Sequence, residues 1–264
     1  MSSWNKPAGR APILALGIQQ ARSVRKEIGY TRPTDLEIEV IAHMRGALVR
    51  ATPTTGSRAT LLRIGSAGVI GVAAGLTDGE RRWAVAHELG HFETHANVSY
   101  LGLCTGDDLR SPYGSDGREP EANAFAAELL LPEDLVRRRC DVAEVRWEPI
   151  EQLATDFQVS LMAAARRFVG FTDDRVAVVC CKDGKIDWSD GNRSFGRRPV
   201  RGAKVDQWSL AHDFFTKGNV TRRRETVRAS AWIPDVSDEL DVLEHVIPMP
   251  RRGLTFSLLW FRPS

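Results

Sequence analysis

Residues 82–92 read Arg82-Trp83-Ala84-Val85-Ala86-His87-Glu88-Leu89-Gly90-His91-Phe92, and they set the fold and chemistry expected of the chain. Just upstream, Thr77-Asp78-Gly79-Glu80 supplies an N-cap residue with an acid three positions later, the capping-box pattern that opens a helix. Trp83, Val85, Ala86 and Leu89 give that helix an apolar face. Residues four apart project from one side of a helix, so His87 and His91 can reach a single metal ion, with Glu88 beside them. Two neutral imidazoles and one carboxylate suit zinc and leave a fourth position for water. The bland alternative, two unrelated surface histidines, is disfavoured because a chain with six histidines rarely shows this spacing inside a capped helix.

A third protein ligand is needed, and a separate downstream helix is the usual source. One opens around Glu119-Pro120, where proline is tolerated, and runs through Ala122, Phe125, Ala126, Leu129 and Leu130 until Pro132 stops it. Glu119 and Glu121 are the candidates. Glu119 has Asn123 one turn further on the same face, an amide able to orient a neighbouring histidine. Glu121 aligns instead with Phe125, a core position. Glu119 is the better placed and Glu121 the alternative; the one not used is expected to be a solvated first-turn glutamate, favoured by the helix dipole.

Such a site predicts hydrolysis. Zinc lowers the pKa of a bound water, Glu88 takes the proton, attack falls on a peptide carbonyl polarised by the metal, and the same carboxylate protonates the leaving amine. Tyr100, Tyr113, His95 and Arg118 are candidate oxyanion partners, although His95, one turn beyond His91, reads better as a structural helix-end residue. His43, His212 and His245 are isolated and read as surface or satisfied core.

The stretch Arg82–Phe92, followed by Glu119-Pro120-Glu121-Ala122-Asn123-Ala124-Phe125-Ala126-Ala127-Glu128-Leu129-Leu130-Leu131-Pro132, resembles the ImmA/IrrE metallopeptidases. The resemblance implies zinc bound by His87, His91 and Glu119, with Glu88 acting in catalysis. It implies an endopeptidase of zincin-like fold acting on a protein substrate, a helix-turn-helix transcriptional repressor whose cleavage switches on genes of a mobile element or stress response. It extends over about 34–169, including Glu151-Gln152-Leu153-Ala154 and Val159-Ser160-Leu161. Glu93 and Thr94, before His95, depart from the common apolar pattern, and no role is carried onto them.

The remaining chain reads as follows. Helices are expected at Pro12–Ile28 and from Thr34 or Asp35, the second with Ile38, Ile41, Ala42 and Leu48 at helical spacing. Ala59–Ile64 and Gly68–Ala74 read as strands of one small sheet, and Cys104–Gly117 as a mobile loop. Short helices occupy Glu133–Cys140, Pro149–Phe157 and Leu161–Val169. Beyond Thr172, Arg175–Cys181 and Lys185–Trp188 form a hairpin about Asp183-Gly184, Val205–Phe215 is helical, and Val242–Ile247 and Leu254–Phe261 are strands about Arg251-Arg252-Gly253. The class is α+β: a helical catalytic core with a small β-sheet over 1–171, including a helix-turn-helix-like pair at 149–169, then a C-terminal α+β part over 172–264.

Composition narrows the setting. Hydrophobic residues at 42% and charged residues at 27% are ordinary globular values, and a net charge of +2 is too small for a chain that binds nucleic acid throughout. Between Arg193 and Arg228, ten basic residues stand against three acidic ones, while Asp235–Glu244 holds five acidic and no basic residues. That basic segment is either a partner-facing surface or a solvated face near an acidic neighbour. Cys104, Cys140, Cys180 and Cys181 show no CxxC spacing and read as reduced thiols of a cytoplasmic protein. No secretion signal or membrane span is expected, since the run Ala11–Ile18 is too short. The competing readings are a DNA-binding regulator, whose second helix Leu161–Ala165 offers few groups for base edges, and a toxin–antitoxin or defence component on the same scaffold.

Overall fold

The computed structural model describes residues 10–53, 57–95, 101–105, 118–218, 221–237 and 239–263. It has the expected α+β class and two compact units, Met1–Glu133 with Ala154–Ser160, and Asp134–Leu153 with Leu161–Ser264.

The first unit contains helices α1 (Arg10–Ile28), α2 (Ile38–Met44), α3 (Asp78–Thr94) and α4 (Arg118–Leu130), with strands β1 (Ala47–Thr52), β2 (Ser57–Ile64), β3 (Ala67–Ala73) and β4 (Leu101–Thr105). The sheet order is β1-β3-β2-β4, parallel between β1 and β3 and antiparallel elsewhere. Ala59, Leu61, Ile70 and Val72 are buried, and because side chains alternate along a strand they form the inner face. Gly68 in β3 leaves room for Phe92 of α3, whose ring would lie 2.9 Å from an added Cβ.

Three expectations are corrected here. The second helix starts at Ile38 rather than at Thr34 or Asp35, because the Asp35 carboxylate accepts from the Arg32 backbone N–H at 2.8 Å and closes a local turn. It ends at Met44, with Arg45 as C-cap and Gly46 at φ +91° turning the chain, so Leu48 lies on β1 and pairs with Val69. Cys104 belongs to β4, opposite Ala59, rather than to a loop. The rest of that segment, 106–117, lies outside the described residues.

Helix α1 lies against α4, where a methyl added at Gly17 would overlap the carbonyl of Glu121. The Arg22 Nε–Glu128 Oε1 ion pair at 2.8 Å joins the same helices. Arg45 donates to Glu93 at 2.8 and 3.0 Å, and Gln20 donates to it at 2.9 Å. Glu93 thus has structural partners where an apolar residue is the common choice.

The second unit holds α7 (Leu161–Phe171), α8 (Leu210–Lys217) and a five-stranded antiparallel sheet. Its strands are β5 (Arg175–Lys182), β6 (Lys185–Gly191), β7 (Arg223–Arg228), β8 (Asp241–Met249) and β9 (Leu254–Phe261), in the order β6-β5-β9-β8-β7. Asp183 and Gly184, at φ 51° and 70°, make the tight turn expected between β5 and β6. The chain enters this unit through α5 (Glu133–Val136), which passes into a 3-10 turn at Arg137 instead of continuing to Cys140. Helix α6 spans Trp147–Asp156, and its Trp147 indole donates to the His245 carbonyl at 2.6 Å. Helix α8 begins at Leu210, not Val205, because the Ser209 hydroxyl accepts from the His212 N–H and fixes the N-cap.

The basic segment holds an unexpected edge strand, β7, and its charges are matched nearby. Arg222 pairs with Glu148 and Glu151, Arg223 with Asp213 and Glu225, Arg224 with Glu144, and Arg228 with Asp241. Cys140, Cys180 and Cys181 are buried free thiols, and burial pushes the Cys140 thiol up to about 11.

His245 on β8 is buried, and desolvation lowers its pKa to about 4. Below the ordinary histidine value of about 6.5, the unfolded chain takes up a proton that the folded one refuses. Stability therefore falls from about pH 6.5 until the pH passes the folded value, and this group contributes at most about 3 kcal/mol to the loss. His245→Gln should flatten the profile of thermal midpoint against pH across that window, as measured by circular dichroism. Superimposable profiles for the two proteins would remove this account.

Candidate metal centre

The site is built on α3. Glu80 accepts from the Thr77 backbone N–H at 3.0 Å and from its hydroxyl at 2.8 Å, completing the cap. Every residue from Ala84 to Phe92 is buried, as for a central helix enclosed on all sides. Trp83 is only half-buried while Arg82 is buried, its guanidinium donating to the Pro33 carbonyl. His87, Glu88 and His91 are 0, 0 and 2% exposed. Burying three such groups costs free energy unless a partner offsets it.

The offset for the histidines comes from α4. His87 Nε2 lies 3.1 Å from Glu119 Oε2, His91 Nε2 lies 3.2 Å from Glu119 Oε1, and the two Nε2 atoms are 3.1 Å apart. His87, His91 and Glu119 are the described group whose ligand atoms converge in this way. A tetrahedral ion with ligand bonds near 2.0–2.1 Å separates its ligand atoms by roughly 3.3 Å, close to the Nε2–Nε2 spacing and to the contact each imidazole makes with one oxygen of Glu119, so the three side chains can hold one small cation. Burial pushes the Glu119 carboxyl upward, but the hydrogen bonds with His87 and His91 outweigh it and hold the group well below the usual carboxylate range. It is ionised at neutral pH.

The other faces of the imidazoles are also engaged. His87 Nδ1 lies 3.1 Å from Asn123 Oδ1, the orienting contact expected of that amide. Glu121 is outside this group, and it is not a solvated glutamate either: its Oε2 lies 2.8 Å from His95 Nε2. His95 is the C-cap of α3, its backbone N–H donating to the His91 carbonyl at 3.1 Å. Burial lowers the His95 pKa, against the pull of Glu121. The sequence reading missed the His95–Glu121 link, although the spacing from His91 to His95 carried the signal. Arg118 opens α4; Tyr100 and Tyr113 lie outside the described residues. His43 is exposed and His212 half-buried.

Two helical histidines with a carboxylate converging from a second helix make a ligand set that metal-dependent peptidases use. Residues 41–169 match the Peptidase_M78 family model, described as the IrrE N-terminal-like domain, and the chain therefore carries a domain of the ImmA/IrrE family. Among solved structures, one titled "Mycobacterium tuberculosis transcriptional regulator" is similar with a TM-score of 0.58 and 16% identity, over 93% of this chain and 76% of that one. That is a likeness of fold. No curated protein matches the chain. No helix among the described residues is long and apolar enough to cross a membrane.

The α3–α4 spacing is set at Gly90, where an added Cβ would meet Ala122 Cα and O at 3.0 Å and Phe125 Cβ at 3.1 Å. Gly90→Val should force the helices apart, cost about 1–3 kcal/mol of stability and weaken binding of a divalent-metal probe such as zinc by roughly tenfold or more. Thermal melting and competition against a chromophoric chelator measure the two effects; undiminished zinc affinity would show that this spacing does not govern the site.

Proposed function

We propose that the chain is a zinc metalloendopeptidase that cuts a protein substrate, with His87, His91 and Glu119 as ligands and Glu88 as the general base. The observation that carries this reading is the convergence of two imidazole Nε2 atoms and both oxygens of one carboxylate, each His–Glu contact at 3.1–3.2 Å, in a buried setting. Two imidazoles with one carboxylate favour zinc over the oxygen-seeking magnesium and calcium. When bound, the ion supplies Lewis acidity toward water and a carbonyl oxygen. Glu119 holds and partly neutralises the ion, and Asn123 fixes the His87 ring. Glu88, next to His87 in the buried run, accepts a proton from the attacking water and returns it to the leaving amine.

The substrate we infer is a helix-turn-helix repressor, and the setting is a cytoplasmic switch for genes of a mobile element or stress response. Family membership supports this, and the neighbour titled a transcriptional regulator is consistent with a gene-control setting. Direct DNA reading by α7 has less support, because Ala163, Ala164 and Ala165, like Phe168 and Val169, are buried rather than offered to a groove.

Glu119→Gln should lose zinc in metal analysis of the purified protein. Glu88→Gln should retain it, yet cut a helix-turn-helix repressor encoded nearby at least about 100-fold more slowly, as followed by mass spectrometry of the fragments. Parental cleavage by Glu88→Gln would remove the proposed base, and a metal-free but active parent would remove the whole reading.

A further inference from the structure

Lys204, in the basic segment, has a different setting from the arginines of β7. The tight turn between β5 and β6 places Lys182 opposite Lys185. The chain then returns along the outer edge of β6 and places Lys204 opposite Lys185 from the other side. Directly opposed residues share a face of a sheet, so the three lysines stand in one row. The Ile186 N–H donates to the Ala203 carbonyl and the Val205 N–H to the Gly184 carbonyl, each at 2.9 Å. Lys185 and Lys204 therefore form a pair with no hydrogen bonds of its own, the pairing that brings opposed side chains closest.

Like charges in such positions repel. All three lysines are exposed, and among the described residues none of them forms an ion pair. The acids nearest in the chain are Asp183 at the turn, Asp187 and Asp206, and Asp206 Oδ1 accepts from the Trp208 N–H at 2.8 Å. On the β9 side, Lys182 is opposite Leu254, which follows the exposed Arg251 and Arg252 of the turn from β8. Neighbouring strands are about 4.8 Å apart, so the cationic ridge from β9 to Lys204 runs for about 15 Å across the end of the sheet. The net charge of +2 conceals it because acids elsewhere balance it.

A face that serves only solubility can interleave both signs of charge, as the surroundings of β7 do. Three lysines side by side weaken the fold unless an anion offsets their repulsion. A nucleic-acid strand carries phosphates at short, regular intervals along a line, which matches a ridge, whereas a membrane presents its charge over a plane. Trp208 is 71% exposed and sits in a turn closed by the Ser209 N–H donating to the Asp206 carbonyl at 3.1 Å. Four residues on from Lys204, its Cα lies within about 14 Å of that of the lysine. An open indole is a platform on which an unpaired base can stack.

We propose that this end of the second unit's sheet binds single-stranded nucleic acid, with Lys182, Lys185 and Lys204 on its phosphates and Trp208 against a base. Such a contact follows the backbone and tolerates sequence. It needs no base reading by α7, and it stands independently of the metal-site reading.

The test uses the full chain and dye-labelled, mixed-sequence DNA of about 20 nucleotides, longer than the usual footprint of one such module, followed by fluorescence anisotropy. The single strand should bind more tightly than the duplex. Its log affinity should fall against log salt with a slope of about −2 or steeper, as for three or more neutralised phosphates. Lys182→Gln, Lys185→Gln and Lys204→Gln combined should weaken binding at least about tenfold at low salt, and Trp208→Ala about fivefold or more. Lys26→Gln, Arg50→Gln and Arg138→Gln combined remove the same charge from other exposed positions and should bind like the parent. Should the first triple variant fail to fold, Lys185→Gln alone should make the salt slope shallower by about 0.7, and an unchanged slope would count against the ridge. No binding of the single strand, equal losses in the two triple variants, a preference for duplex, or an unaffected Trp208→Ala would each overturn the proposal. Binding to phosphatidylserine-containing vesicles with neither DNA bound would overturn it in favour of an anionic membrane.

Discussion

Side chains from two helices can meet at one point only if the helix backbones come close, and at Gly90 the α3 backbone lies so near α4 that a Cβ would be 3.0 Å from Ala122 Cα. Small residues on both sides of the crossing make this approach. Gly17 does the same on the other side of α4, admitting α1 against the Glu121 carbonyl. Helix α4 is therefore held from two directions. Its first turn cannot drift without disturbing packing along its length, and Glu119 is delivered to His87 and His91 as a consequence.

The cost of this arrangement lies in polarity. Buried imidazoles and carboxylates lose hydration, and an interior of low dielectric makes any unmatched group expensive. The pattern at α3 is a set of reciprocal contacts: Glu119 with both Nε2 atoms, Asn123 with His87, and His95 with Glu121. At the C-terminal end of the same helix, Glu93 is matched by Arg45 and Gln20. These contacts tie α3 to α1, to α4 and to the segment after α2, so the groups that chemistry requires also fix the helix in place.

The second unit also buries a carboxyl group. Glu244 on β8 is completely buried, which pushes its pKa up, yet it accepts from the Leu210 and Ala211 N–H groups, the Trp232 indole and the Ser257 hydroxyl. It thus caps the N-terminus of α8 from within the sheet, accepting from backbone N–H groups that have no partner inside the helix. Arg223, Arg224 and Arg228 of β7 are matched by acids on neighbouring segments, as suits a charged edge strand.

Local chemistry determined much of this protein from sequence. The capping box at Thr77, the four-residue spacing of His87 and His91, the proline-led start of α4 and the Asp183-Gly184 turn are each fixed by short-range sterics or hydrogen bonding, and each was legible. The elements that were not legible are those whose conformation depends on a distant partner. Leu48 fits a helix by spacing until β3 offers a ladder; Cys104 sits in a polar stretch but pairs with Ala59; Arg223–Arg228 reads as charge until β8 lies beside it. For the acids of α4, sequence could rank Glu119 above Glu121 but could not give Glu121 its partner. That assignment depends on where the end of α3 comes to lie against the start of α4, a distance that only the packing of the helices decides.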